Sequence, residues 1–346
     1  MSKAEGIKTV YGGGGHVVIL GAGASIASTV RNKERNNKIL PSMDNFIDVV
    51  GLRDLTDKLP KRLQHANFEK LYSLLHKSDP SSDIILNIED RVLNYFKGME
   101  LPSEPTIYDY LVMSLRQKDL IATFNWDPFL IQAIQRNSHI AEMPNIAFLH
   151  GNVAVGYNFA LKRFGPAGFT HRKTMTDYEP TRLLFPVTQK NYNLDEFTFK
   201  QWEIIKHWLG SDDTKRITFF GYGAPATDVE AVKLLSDAWG SPGERNMEQV
   251  EIIDVRPEDE VREQWDKFIH SHHYDYATNY FESILSYHPR RSSESWFHYY
   301  MPTSPAESFM ESNKVPQDFK TLKEMWDWYR PLIDAENEWQ SKQDER

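Results

Sequence analysis

The chain has 346 residues, 40% hydrophobic and 26% charged, an ordinary globular composition that supports a large core and about two domains, or one domain with an insertion. A formal charge of -9 argues against a protein that holds nucleic acid through its overall field, so direct nucleic-acid binding is not expected. With no cysteine, disulfides, thiol nucleophiles and every thiolate-dependent zinc site are excluded.

The first fifteen residues are polar and close on Gly12-Gly13-Gly14-Gly15, which reads as a flexible lead-in in preference to a phosphate loop. His16-Val17-Val18-Ile19-Leu20 is a β-branched run ending at glycine, the pattern of a buried parallel strand entering a turn. The apolar stretch from Val17 to Val30 is shorter than the roughly 20 residues that cross a bilayer and is broken by Gly and Ser. It is therefore read as strand and turn, not as a signal peptide or membrane span, and a cytoplasmic chain is expected.

From about 44 to 118 the apolar residues, among them Phe46, Val49, Val50, Leu71, Leu74 and Leu75, recur at helical spacings, predicting a helical insertion of three to five helices. Four apolar runs follow with strand character: Leu120–Phe124, Ile146–Leu149, Ile217–Phe220 and Val250–Val255. Helical patterns over 127–137, 225–238 and 257–270 alternate with them, so the fold expected is α/β, a Rossmann-like parallel sheet flanked by helices. Residues 151–190 lack a period and contain Gly165-Pro166-Ala167-Gly168, and are read mainly as loops. At the end, Phe319, Leu322, Met325, Trp326 and Tyr329 share one helical face, with Pro331 expected to kink or end the helix. That face either packs on the parent core or serves an oligomer or partner. The organisation expected is a lead-in at 1–15, a main domain at 16–290 and a helical C-terminal extension at 291–346.

Chemistry concentrates where the strands end. Gly21-Ala22-Gly23-Ala24-Ser25, between strand and helix, suits a diphosphate, because glycine admits close backbone approach and a helix start offers N–H groups and positive potential. Ile26 stands where the dinucleotide fingerprint has its third glycine, which weakens a dehydrogenase reading; a tight turn without a ligand also fits. Thr123-Phe124-Asn125-Trp126-Asp127-Pro128 puts Asn125 and Asp127 at the sheet's carboxyl edge, although Asp before Pro is also a helix cap. His150-Gly151 follows the third run, and an imidazole there either accepts a proton at neutral pH or is structural. Gly221-Tyr222-Gly223, followed by Thr227-Asp228, ends the fourth run, and Asp254 in the fifth is placed to accept ribose hydroxyls; a plain turn and a structural aspartate are the alternatives. His270, His272 and His273 lack the spacing of a known metal site, and no metal is expected.

In order along the chain, GAGAS at 21–25, TFNWD at 123–127, LHG at 149–151, GYG at 221–223 and IIDVR at 252–256 resemble the nucleotide-binding landmarks of the sirtuins. The likeness spans about 16 to 260 and is to the sirtuin-like NAD hydrolase domains of bacterial anti-phage defence systems, in which TxNWD replaces the deacetylase TQNxD. Ile39-Leu40-Pro41 corresponds to the mobile cofactor loop of that family.

The resemblance implies that Gly21, Ala22, Gly23 and Ser25 hold the diphosphate and adjacent ribose of NAD, with Gly221, Tyr222, Gly223 and Asp254 around phosphate and adenosine. It implies that Asn125 orients the nicotinamide ribose or a water, that Asp127 holds the nicotinamide end and that His150 is the general base. The four-cysteine zinc module of deacetylase sirtuins is absent, and no acyl-lysine peptide strand is seen. Water is then the expected acceptor and ADP-ribose with nicotinamide the expected products. The family further implies activation by assembly, through a homo-oligomer or a HerA-type ATPase/translocase, during abortive infection. A non-catalytic NAD or ADP-ribose sensor and an ADP-ribosyltransferase are the alternative functions.

Overall fold

The computed structural model describes residues 3–8, 10, 14–29, 39–187, 196–223, 228–241, 249–265, 268–269, 274–295 and 314–345. The strands are β1 (Gly15–Leu20), β2 (Leu120–Thr123), β3 (Asn145–Phe148), β4 (Val155–Asn158), β5 (Arg163–Pro166), β6 (Thr170–His171), β7 (Thr176–Asp177), β8 (Glu179–Pro180), β9 (Thr214–Phe220), β10 (Gln249–Ile253) and β11 (Tyr274–Ala277). Six of them form one parallel sheet in the order β11-β10-β9-β1-β2-β3.

Helices fill the crossovers and the insertion: α1 (Lys3–Lys8), α2 (Ala22–Thr29), α3 (Phe46–Val50), α4 (Arg53–Thr56), α5 (Phe68–Ser78), α6 (Asp83–Lys97), α7 (Ile107–Ser114), α8 (Phe129–Asn137), α9 (Glu196–Leu209), α10 (Val229–Trp239), α11 (Glu258–Trp265), α12 (Ile284–Tyr287) and α13 (Ser292–Ser295), followed by a long C-terminal helix, Leu322–Asp344. None of the described helices is long and apolar enough to cross a membrane.

The two-residue period of β1 divides the core. Val17 and Ile19 join Ile217, Phe219, Trp202, Leu235 and Trp265 on the side of α9, α10 and α11. Val18 and Leu20 join Leu111, Phe129, Leu71 and Ile88 on the side of α5 to α8. A sheet covered on both faces buries both sides of its central strand, and all six residues of β1 are buried, with His16 there held by hydrogen bonds to Ser292 and Thr218.

Differences from the expected elements are local. β9 starts three residues before Ile217, and α8 starts at Phe129, with Pro128 in the capping position. The segment read as loops carries two small antiparallel arrangements, β5-β4-β8 and β6-β7. Their strands are only two to four residues long, too short for an alternating pattern to show.

Pro331 neither ends nor interrupts the C-terminal helix, which runs on to Asp344. Anchors on both sides outweigh the lost hydrogen bond. Before the proline, Met325 and Tyr329 are buried, the Tyr329 hydroxyl lies 2.8 Å from Ser114 Oγ, and Trp326 Nε1 donates to Asn137 Oδ1 at 2.6 Å. Beyond it, Leu332 and Ile333 are buried, and Glu336 accepts from Arg290 Nη2 at 2.6 Å and from Arg291. The aromatic face thus packs on the core.

Two carboxylates, a buried Glu251 and a largely buried Glu336, tie the C-terminal segments to the sheet. Burial alone would raise the Glu336 carboxyl, but Arg290, Arg291 and Arg116 hold it at about 2. Glu251 ends a polar chain across three strands: His16 Nε2 lies 2.7 Å from Thr218 Oγ1, Thr218 donates to Glu251 Oε2 at 2.9 Å, and Ile284 N donates to Glu251 Oε1 at 2.7 Å. Burial pushes this carboxyl up to about 7, against the Arg216 charge.

Glu336→Ala would strand two buried guanidinium groups and is expected to lower unfolding stability by about 3–5 kcal/mol, read by urea denaturation. Folding raises the Glu251 pKa from 4.5 to about 7. Its stabilising contribution is therefore complete below pH 4.5 and lost as pH rises through 7, up to about 3 kcal/mol at ~1.4 kcal/mol per unit. Urea curves at pH 5 and pH 8 should show that part of the pH dependence vanish in Glu251→Gln.

Candidate functional site

The register aligns the strand ends. Leu20 pairs with Thr123 and Phe220, Thr123 with Phe148, and Phe220 with Ile253, so Gly21, Asn125, His150, Gly221 and Asp254 all follow one row. After β1 the chain adds β2 and β3 on one side and β9 on the other. That reversal of strand order is where open α/β sheets form a ligand crevice.

At the reversal two glycine turns interlock. Gly21 N donates to Phe220 O and Gly23 N to Gly221 O, each at 3.0 Å. Gly221 has φ +58°, and a Cβ there would lie 2.3 Å from Ala24 N; a Cβ on Gly21 would lie 2.4 Å from Gly221 O. The backbones touch because neither turn carries a side chain at the contact. The start of α2 therefore faces the crevice, although the Gly23 and Ala24 amides are already engaged by Gly221 and Gly21 carbonyls. Ile26 lines the crevice beside the turns.

Behind the turns lies a buried polar cluster. Asn125 Nδ2 donates to Gly21 O at 2.7 Å and lies 2.9 Å from Ser25 Oγ and 3.1 Å from the Tyr108 hydroxyl. Ser25 Oγ donates to Asp127 Oδ2 at 2.7 Å and also sits 2.7 Å from the Tyr108 hydroxyl. Asn152 Nδ2 reaches the carbonyls of Asp127 at 2.7 Å and Asn125 at 3.2 Å. With its NH2 group so engaged, Asn125 has its carbonyl Oδ1 left for a ligand. Asp127 Oδ1 accepts from Phe129 N at 3.2 Å, so from the position before the Pro128 cap it engages the first amide of α8 while also holding Ser25. Burial raises its carboxyl to about 6, with the Ser25 and Phe129 donors opposing the rise.

His150 reaches the same cavity from the end of β3. Gly151 makes the turn with φ +76°, and a Cβ there would meet Arg182 O at 2.1 Å. Leu184 N donates to His150 O at 2.9 Å. The Phe124 ring meets the imidazole edge-on, centroids 4.7 Å apart, and stacks on Tyr222 at 4.5 Å. Nε2 of His150 lies 3.6 Å from Asp228 Oδ2.

The crevice has two chambers that share Ile26, Gly221 and Gly223. The smaller, about 310 Å³, takes in Asn125, Asp127, His150, Tyr222 and Asp228, with Leu40 and Pro41 also on its wall. Trp126, Phe46 and Phe96 give it an apolar side. The larger, about 690 Å³, lies over Asp254 and Arg256 and is walled by Tyr110, Phe281 and Phe319.

Of the sequence-predicted residues, Gly21, Ala22, Ser25, Asn125, Asp127, His150, Gly221, Tyr222 and Gly223 meet in the smaller chamber, while Gly23 and Asp254 line the larger. Asp254 is engaged by Arg256, whose Nε and Nη2 donate to its two oxygens at 3.0 and 2.7 Å; burial alone would raise the carboxyl, but Arg256 holds it below its ordinary value. Thr227, His270, His272 and His273 lie outside the described residues. Among the described residues no group of three or more His, Cys, Asp or Glu side chains gathers as metal ligands do. Sequence reasoning missed Tyr108, which lies in the helical insertion, and Asn152; only the latter, next to the LHG motif, was within reach of a local signal.

No family model matches the chain, and no curated protein matches it. Among solved structures, a Sir2 homologue in complex with NAD is 13% identical, covering 85% of this chain and 94% of its own, with a TM-score of 0.38. A mutant of a Sir2 homologue in complex with ADP-ribose is 13% identical over 75% and 88% with a TM-score of 0.34, and Sir2Tm bound to a propionylated peptide is 13% identical over 75% and 90% with a TM-score of 0.30.

The interlocked turns give a direct test. Gly221→Ala combines a left-handed backbone with a 2.3 Å contact and is expected to lose more than about 2 kcal/mol. Gly51→Ala, at φ +77° with open space around it, should lose only about 1 kcal/mol. Thermal unfolding of both variants reads the difference.

Proposed function

We propose that the chain is an NAD hydrolase that cleaves the bond between nicotinamide and ribose, releasing nicotinamide and ADP-ribose. The observation that carries this reading is the two-chambered crevice: a dinucleotide has two halves joined by a diphosphate, and the chambers meet at the paired glycine turns. The order of the GAGAS, TFNWD, LHG and GYG motifs supports the same ligand.

In this reading the smaller chamber takes the nicotinamide ribose. Asn125 Oδ1 accepts from a ribose hydroxyl or from the attacking water, and His150 takes a proton. As the glycosidic bond breaks, its electron pair goes to the ring nitrogen and the cationic pyridinium leaves as neutral nicotinamide. The water oxygen bonds to the anomeric carbon and its proton passes to His150. The apolar wall of Phe46, Phe96 and Trp126 suits a neutral leaving ring. Positioning and electrostatic stabilisation of an oxocarbenium-like centre are the main demands on the protein, and no metal is needed. The diphosphate lies against Gly21 to Ser25 and Gly221 to Gly223, and the adenosine occupies the larger chamber beside Asp254.

We extend the reading to organisation and setting: a hydrolase domain over 16–290 with the helical insertion inside it, a C-terminal extension from 291, and cytoplasmic activation by a homo-oligomer or a HerA-type ATPase/translocase during anti-phage defence.

Incubation with NAD, alone and with the product of the neighbouring gene, followed by mass spectrometry, should give nicotinamide and ADP-ribose in equal amounts. His150→Ala and Asn125→Ala should each cut the rate by at least about 100-fold in protein that still folds, and Asn125→Ala should also lower the unfolding midpoint, because Gly21 O, Ser25 and Tyr108 lose a buried partner. A folded wild-type chain that leaves NAD intact in every assembly state would sink the proposal.

A further inference from the structure

Asp228 lines the smaller chamber beside His150, and the chemistry above gives it no task. It stands immediately before α10, where its carbonyl accepts from Val232 N at 3.1 Å, so its backbone is fixed by the helix start. Its Oδ2 lies 3.6 Å from His150 Nε2, and both residues are buried, at 6% and 8% exposure. The imidazole is oriented independently, by the edge-on Phe124 ring and by the Leu184 bond to the His150 carbonyl. Its Nε2 edge therefore faces a carboxylate before any ligand arrives.

We propose that Asp228 is a positioning residue for His150: it holds the Nε2 proton of the neutral ring, so that Nδ1 is the atom that accepts a proton during cleavage. A neutral imidazole donates from one nitrogen and accepts at the other, so fixing the proton on Nε2 leaves the Nδ1 lone pair for catalysis. At 3.6 Å the contact is longer than a hydrogen bond, within the range from which catalytic pairs tighten around bound substrate. In the reaction an O–H bond of water, or of a ribose hydroxyl that relays to water, breaks and an N–H bond forms at Nδ1. The resulting imidazolium is stabilised by Asp228, which remains ionised, and its proton then returns to solvent. The other titratable groups lining the chamber are Asp127, Glu69 and Tyr222. Burial, then the Asp228 charge, raises the Tyr222 hydroxyl.

The inference rests on His150 being the proton acceptor in NAD cleavage, and the test separates the two. In ¹⁵N-histidine-labelled full-length protein, with the His150 signal assigned by its loss in His150→Gln, the neutral ring should carry its proton on Nε2. The His150 pKa should fall by about 1 unit in Asp228→Asn, because an opposite charge within about 4–6 Å favours the protonated ring. In NAD turnover the same variant should lose at least 10-fold in kcat, with its dissociation constant for NAD unchanged and the acidic limb of the pH profile shifted down by the same unit. A wild-type ring protonated on Nδ1, or a His150 pKa unmoved in Asp228→Asn, overturns the pairing. The wild-type tautomer needs no substitution, so it stands as a test even if Asp228→Asn fails to fold. A pairing seen by NMR in a protein that never cleaves NAD keeps the dyad and removes the hydrolase.

Discussion

The contact of backbone on backbone between the Gly21–Gly23 turn and Gly221 governs how this structure works. It lies where the strand order reverses, and it can form only because two chain segments some 200 residues apart in sequence both lack side chains there. With the two turns interlocked, α2 is aimed into the crevice and the two chambers share a common wall. A side chain at Gly221 would separate β1 from β9 at their carboxyl ends and with them every group that follows those strands.

On this frame the polar cluster acts as one unit. Ser25 comes from the first crossover, Tyr108 from the helical insertion, Asn125 and Asp127 from the end of β2, and Asn152 from beyond β3. Each satisfies a partner that would otherwise be buried without a hydrogen bond, which makes the cluster rigid and makes any single loss costly. The insertion is thereby joined to the site through the Tyr108 hydroxyl, 3.1 Å from Asn125 Nδ2. Asp127 also serves two neighbours at once: one oxygen accepts from the first amide of α8 and the other from Ser25.

The opposite end of the sheet is organised by charge. Glu336 draws Arg290 and Arg291 together beneath the C-terminal helix, and this ion-pair cluster with the buried Tyr329 carries the helix past Pro331. A proline removes one hydrogen bond from a helix, whereas tertiary anchors on both sides fix its path. The hydrophobic face from Phe319 to Tyr329 is readable as a period, but the continuation depends on Glu336 finding two arginines about 45 residues away in sequence.

The sequence by itself determined the alternation of strands and helices, the helical character of the insertion, and which glycines, asparagine, aspartate and histidine would stand at strand ends. These are local properties: a β-branched run, a helical period and a glycine turn are written within a few neighbouring residues. Tertiary structure alone decided that the GAGAS and GYG turns touch, that Tyr108 enters the cluster, that Asp254 is taken by Arg256 and that Asp228 faces His150. It also made short antiparallel strands of a segment with no readable period. These outcomes depend on the order and register in which strands pair, and on side chains meeting across separations that no local pattern records.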